Sequence, residues 1–278
     1  MAMFKKNRPK NKQDDTIRLG RFWMVTLFTC TLVFSMLYSL PARWVISQPM
    51  VQKQIPQQWL IEAVEGSVWN GEMALSTHIT DKSGAILNLG LLNWDLDWLP
   101  LFKANIGSQQ KWILTEGSQV DFYIEKEILS AEAPLFLSNV RGNIDIAQLI
   151  QHLSVAGLQT LAATGQMVVS DIDVALDPLT LWPQEVSGQF ELRSLSSFGI
   201  NIAKLTVVPS MVAQTLLLSL SAQENGWKLT GRVSIKENHT YDITLSVKAD
   251  SAQKMPDWSQ LMVQKTPTSA TFINQGKW

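Results

Sequence analysis

Two pairs of carboxylates stand at the spacing that acid–base chemistry uses. Asp95 with Asp97, and Asp171 with Asp173, are two residues apart. On a strand, residues i and i+2 point to one face. Two carboxyls so placed can hold different protonation states, one donating a proton while the other stays charged. Both pairs, however, alternate with apolar partners, as in Asp171-Ile172-Asp173-Val174. That alternation is what the wet face of a half-buried strand requires, and a solvated face is the reading the pattern favours. The histidines are His78, His152 and His239, separated by 74 and 87 residues. None belongs to an HExxH or HxH pattern, so no metal site is expected. Cys30 is the only cysteine and lies in an apolar run, where it reads as a small lipid-facing residue. No nucleophile elbow, dinucleotide fingerprint or P-loop occurs. The expectation is a protein that is not an enzyme, with no catalytic, cofactor-binding or metal-binding residue.

Tryptophan is the residue in excess, with 11 in 278 positions, and aromatic surfaces are used to hold protein partners, glycans or lipid. Trp94 and Trp98 fall on one face of a predicted strand, while Trp59 and Trp69 flank a predicted hairpin. Core packing is the ordinary fate of each taken singly. Trp94 and Trp98 are named as the candidate partner surface.

The elements that must position these residues begin with a charge asymmetry. Residues 1–21 carry seven Lys or Arg against two Asp, a net of +5, within a chain of net charge −1. Phe22–Leu40 then runs for nineteen residues without a charge. As a helix it is about 28 Å long, close to a bilayer core of about 30 Å. Its threonines and serines can bond back to the helix's own carbonyls. Basic residues before the span predict a cytoplasmic N-terminus and a translocated remainder. A cleaved signal peptide is the competing reading, with Ala42 at its −1 position, but Leu40 is bulky for −3 and the apolar run is long for a signal. The anchor is preferred. Hydrophobic residues at 46% and charged residues at 17% exclude a disordered chain and a polytopic one. The near-neutral charge argues against nucleic-acid binding.

The expected organisation is a basic cytoplasmic tail (1–21), a transmembrane helix (22–40), a linker (41–57) and a periplasmic β-rich domain (58–278). Pro41, Pro49 and Pro56 predict an extended or broken linker that lifts the domain off the bilayer. From Trp59 onward the pattern is mainly β. Short strands are expected at 59–65, 72–80, 85–98, 204–208, 214–221, 227–235 and 241–249. Asn225-Gly226 and Glu237-Asn238 are expected hairpin turns. Gly142, Gly188 and Gly231 each begin a Gly-polar-apolar-polar-apolar run, with a looser copy at Gly165, and are read as glycine turns that open strands. One or two short helices are expected, after Asp145 and at 257–264. The fold class is an elongated antiparallel β domain, with two subdomains meeting near 155–165 as the alternative.

The segment Gly66-Ser67-Val68-Trp69-Asn70-Gly71 follows an exit from the apolar run that reads Pro41-Ala42-Arg43-Trp44. This layout resembles the type II secretion system protein N family. The family's Gly-x-x-Trp-x-Gly matches at Gly66, Trp69 and Gly71. The run from Leu89 to Leu96 is similar to its Leu- and Trp-rich strand, and Gly226-Trp227-Lys228-Leu229-Thr230-Gly231 to a later motif. The resemblance implies a single-pass inner-membrane protein of Gram-negative bacteria. It implies an accessory, non-catalytic role in exporting folded proteins across the outer membrane, through contacts with other secretion components and with no small-molecule substrate. The two glycines are expected to permit a tight positive-φ turn, and Trp69 to plug the hydrophobic layer beneath it. Two rivals are an AsmA-like envelope protein handling lipid or outer-membrane assembly, and a tethered hydrolase using an acidic pair. Which component is contacted, which substrates are exported and the oligomeric state lie beyond the sequence.

Overall fold

The computed structural model describes residues 12–53, 59–78, 86–115, 117–130, 132–152, 162–197 and 199–277. A long helix, α1 (Lys12–Tyr38), is followed by two short ones, α2 (Ala42–Ile46) and α3 (Pro49–Gln52). Within α1 the Thr29 and Thr31 hydroxyls donate to the Val25 and Leu27 carbonyls, both at 2.8 Å, so these polar groups are satisfied inside the helix. Among the described residues, which in α1 include side chains from Trp23 onward, no helix is long and apolar enough to cross a membrane.

After α3 the described strands form one antiparallel sheet of 14, a meander in which each strand pairs with the next until the last two exchange places. The strands are β1 (Trp59–Gly66), β2 (Asn70–His78), β3 (Ile86–Asp97), β4 (Asn105–Thr115), β5 (Ser118–Glu127), β6 (Leu135–Asp145), β7 (Thr164–Leu176), β8 (Pro183–Ser197), β9 (Ile200–Val212), β10 (Thr215–Glu224), β11 (Trp227–Lys236), β12 (Thr240–Ala249), β13 (Val263–Thr266) and β14 (Ser269–Lys277). One short helix, α4 (Ile146–His152), interrupts them after β6. The mainly β expectation holds, and pairing is continuous from β6 to β7, across the point proposed for a boundary between subdomains.

Local chemistry explains the breaks. The Asp145 carboxylate accepts the Gln148 N–H at 3.0 Å, the cap that starts α4. Pro256 precedes a 3-10 turn over Asp257–Leu261, and the segment expected to continue as helix becomes β13 at Val263. Asn225-Gly226 and Glu237-Asn238 are hairpin turns as expected. Residues 79–85, into which the strands expected at 72–80 and 85–98 run, lie outside the described residues. The strands β4, β5 and β14 were not anticipated, although β5 alternates Val120, Phe122 and Ile124 with more polar neighbours.

Two expectations need correction. The segment 41–53 is not an extended spacer. Its prolines stop α1 and cap two short helices, and Ala42 is buried where α2 packs on β1. The repeated glycines also do not open strands. Gly142, Gly188 and Gly231 lie inside β6, β8 and β11. At Gly142 an added Cβ would sit 2.3 Å from the Gln119 carbonyl, and at Gly188 (φ +101°) 2.3 Å from that of Asp171. Register shifts of the paired strands fall beside both. Gly142 and Gly188 admit a neighbouring backbone at bulges, whereas Gly231 in unbroken pairing leaves room for the Leu245 side chain.

The main core lies under the C-terminal strands, around Ile202, Leu205, Val207, Ala222, Trp227, Leu229 and Val247, with Trp258 packed edge-on to Trp227. A smaller cluster of Leu114, Val120 and Ile144 lies under β4–β6.

Candidate functional site at the helix–sheet junction

The Gly66–Gly71 segment is the β1–β2 hairpin turn, and it is seated on the C-terminal end of α1. Gly66 is left-handed (φ +85°), and a Cβ there would lie 2.5 Å from the Asn70 carbonyl. The Ser67 N–H donates to that carbonyl at 2.8 Å, while its hydroxyl accepts the N–H groups of Trp69 and Asn70, both at 3.2 Å. This closes a tight turn whose far side pairs with the chain leaving α1. Ser67 bridges Pro41, and the Val68 N–H donates to the Leu40 carbonyl at 3.0 Å.

Trp69 makes the closest link. Its indole N–H donates to the Leu37 carbonyl at 2.8 Å. In a continuing helix that carbonyl would receive the N–H of residue 41, but residue 41 is proline and has none. The Leu40 N–H reaches that carbonyl at 3.3 Å, and the tryptophan indole, a donor with no acceptor capacity, adds the shorter bond. Its ring stacks on Trp98 with centroids 3.9 Å apart and planes 16° from parallel. Trp98 in turn stacks on Phe34 and Tyr38 of α1, at 5.6 and 6.3 Å. Beneath the turn, the Trp94 indole donates to the Val68 carbonyl at 3.1 Å, and the Leu96 N–H to the Trp69 carbonyl at 2.6 Å.

The two family glycines therefore have different reasons. Gly66 supplies the positive φ. Gly71 does not have one; it pairs with Trp94, whose ring lies where a Cβ would be, at 2.5 Å. Trp69, expected as a plug in the core, is half-buried at the junction with α1. Trp94 and Trp98, named as a partner surface, are half-buried, and both indoles are committed to contacts within the chain. Leu37, Phe34 and Tyr38 were not anticipated as members of this site. The proline after the apolar run was the available signal, since it withholds the i→i−4 donor from a carbonyl one turn back.

The acidic pairs are not assembled as catalytic dyads. A register shift between Ser170 and Asp173 separates the second pair, with Asp171 at φ +51°. Asp171 pairs with Arg141, and Asp173 accepts the Asn139 N–H at 2.8 Å. Asp97 accepts the Tyr123 hydroxyl at 3.2 Å. Burial, reinforced by the Asp97 charge, pushes that phenol above its ordinary value. Asp95 and Asp97 are exposed. His78 lies in β2, His152 ends α4 and His239 sits in the β11–β12 turn. Among the described residues no three His, Cys, Asp or Glu side chains converge as a metal site would need. Cys30 is exposed on α1.

A groove adjoins the junction. It has a volume of about 630 Å³ and runs between Arg43, Ile46 and Ser47 on one side and β1, the outermost strand at that edge of the sheet, on the other.

No curated protein and no solved structure matches the chain. A family model does, that of the type II secretion system (T2SS), protein N, over residues 57–264, from just ahead of β1 into β13. With three quarters of its length so matched, and with Gly66, Trp69 and Gly71 forming a built junction inside the match, the chain belongs to the type II secretion system protein N family.

Proposed function

We propose that this protein is a single-span, inner-membrane accessory component of type II secretion, holding a non-catalytic periplasmic sheet against the membrane for contact with other envelope components. Membership of the protein N family is the observation that carries the reading. The anchor rests on the nineteen uncharged residues of Phe22–Leu40, helical through Tyr38, and on the +5 flank before them. The hydroxyls bonded within α1, and the outward-facing Trp23, Met24, Leu27 and Phe28, suit a helix surrounded by lipid.

Because Trp94 and Trp98 are used internally, the free edge of β1 is the better place for a partner. An edge strand offers unpaired backbone groups to an added strand. Confinement to the membrane plane raises the effective concentration of neighbours, so weak contacts suffice.

Deleting the gene and locating a type II substrate tests the role. Substrate trapped in the periplasm, with inner-membrane export intact, is the expected result. Unchanged secretion with an altered outer-membrane lipid composition overturns it in favour of a lipid-handling protein. Alkaline phosphatase fused after Trp278 is expected to be active; recovery of a soluble periplasmic form beginning near Arg43 overturns the anchor. Asp171→Asn and Asp95→Asn are expected to leave secretion unchanged in folded protein; loss of secretion overturns the non-catalytic assignment.

A further inference from the structure

We infer that the row of hairpin turns on the α1 side of the sheet is itself a lipid-contacting edge, inserted in the same bilayer leaflet that receives the end of α1. This rests on the anchor reading above.

Strand register places these turns at one end of the sheet. Gly71 pairs with Trp94, so the β1–β2 turn lies beside the β3–β4 turn; Asn105 pairs with Glu127, and Leu135 with Leu176, which brings the β5–β6 and β7–β8 turns into line. Contacts join the first three turns to one another and the β7–β8 turn to the β9–β10 turn. Trp69 stacks on Trp98, the Ile128 N–H donates to the Ala104 carbonyl at 2.8 Å, and the Trp182 indole donates to the Gln214 carbonyl at 3.2 Å.

The tips of this row carry large apolar side chains that the sheet does not cover. Phe102 is 87% exposed, Leu129 81% and Leu179 86%, with Leu99, Ile128 and Leu181 also exposed beside them. Hairpin tips normally carry polar or turn-forming residues, since they face water. The opposite end follows that rule, with Gly117, Gly199 and Asn225-Gly226 at its described turns. Apolar tips on successive hairpins, joined to a helix whose own apolar residues are uncovered, form one surface of the kind that membranes receive. Trp44, exposed just past the end of α1, suits the interfacial zone between them.

The experiment uses the full chain in vesicles of phosphatidylethanolamine and phosphatidylglycerol. In a Cys30→Ser background, Phe102→Cys, Leu129→Cys, Leu179→Cys and the far-end control Asn225→Cys are each labelled with a polarity-sensitive fluorophore. Cys30 is labelled in the otherwise unchanged chain. Quenchers are placed on lipid chains at shallow and deep positions. Shallow-quencher loss at the three tips at least about twofold greater than at Asn225→Cys is the expected result, with Cys30 answering to the deep quencher. Quenched Cys30 with tips equal to the Asn225→Cys control overturns the edge and leaves the anchor standing; so does shielding of the tips that depends on protein density, which marks a second copy as their cover. Quenched tips with unquenched Cys30 support the edge and overturn the anchor. If neither responds to lipid, both fail.

Discussion

The two ends of the strand order solve the same folding problem differently. From β9 to β12 and on to β14, antiparallel pairing runs without a shift of register, over a core that includes Val247 and Trp227. From β1 to β8, shifts interrupt most pairs, and the buried cluster is small. The irregular part holds the junction with α1. Bulges redirect strands and side chains at the cost of ladder hydrogen bonds, so they belong where geometry matters more than stability. The regular part supplies the stability that lets the other be irregular.

The sharpest way to break this comparison is to empty the regular core. Trp227→Ala is expected to cost about 3–5 kcal/mol and most of the protein's abundance, read by urea denaturation of the detergent-solubilised chain. A loss below about 1 kcal/mol would mean that the C-terminal strands are not the stabilising half. At the junction, Gly66→Val forces a β-branched residue into a left-handed turn against the Asn70 carbonyl. Strain of about 1–3 kcal/mol is expected, with partial retention of fold. Trp69→Phe keeps a ring on Trp98 but removes the donor to Leu37, and is expected to cost about 1 kcal/mol. A double-mutant cycle of Trp69→Ala with Trp98→Ala should return a coupling of about 0.5–1.5 kcal/mol; zero coupling would show that the stack does no more than fill space. The smallest effect is a pH dependence at the seam between the two parts, where β8 pairs with β9. Lys204 and Arg193 hold the Glu191 carboxyl below its usual range. Stability from this group is present above its unfolded pKa and disappears as pH falls through the lower folded value. A carboxyl NMR titration should show the lowered midpoint, and Lys204→Met should raise it; an unmoved midpoint would remove the ion pairs as its cause.

The sequence made the regular half easier to anticipate. Asn225-Gly226 and the alternation in 227–235 and 241–249 mark hairpins because nothing there breaks the period of two. In the irregular half each bulge shifts the phase. In β3 the pairing passes from Leu75 with Gly90 to Ser76 with Asn88, so the residues before and after Leu89 follow different phases along one strand. Gly188 was seen as punctuation because a turn and a close backbone approach demand the same residue. The Gly-x-x-Trp-x-Gly pattern located the site, but not its function as a clasp. The partner of Trp69 is a backbone carbonyl 32 residues earlier, and no side-chain motif records a carbonyl.

That clasp has a mechanical consequence. A domain on a flexible tether swivels through every orientation, and a binding edge then spends most of its time facing away from any neighbour. Here the Pro41–Ser67 bridge, the Val68–Leu40 hydrogen bond, the Trp69–Leu37 hydrogen bond and the aromatic stack grip the helix end from several directions. Torque applied to α1 is therefore delivered to β1 rather than dissipated in a hinge. The free edge of β1 keeps one bearing relative to the helix, and whatever turns the one aims the other.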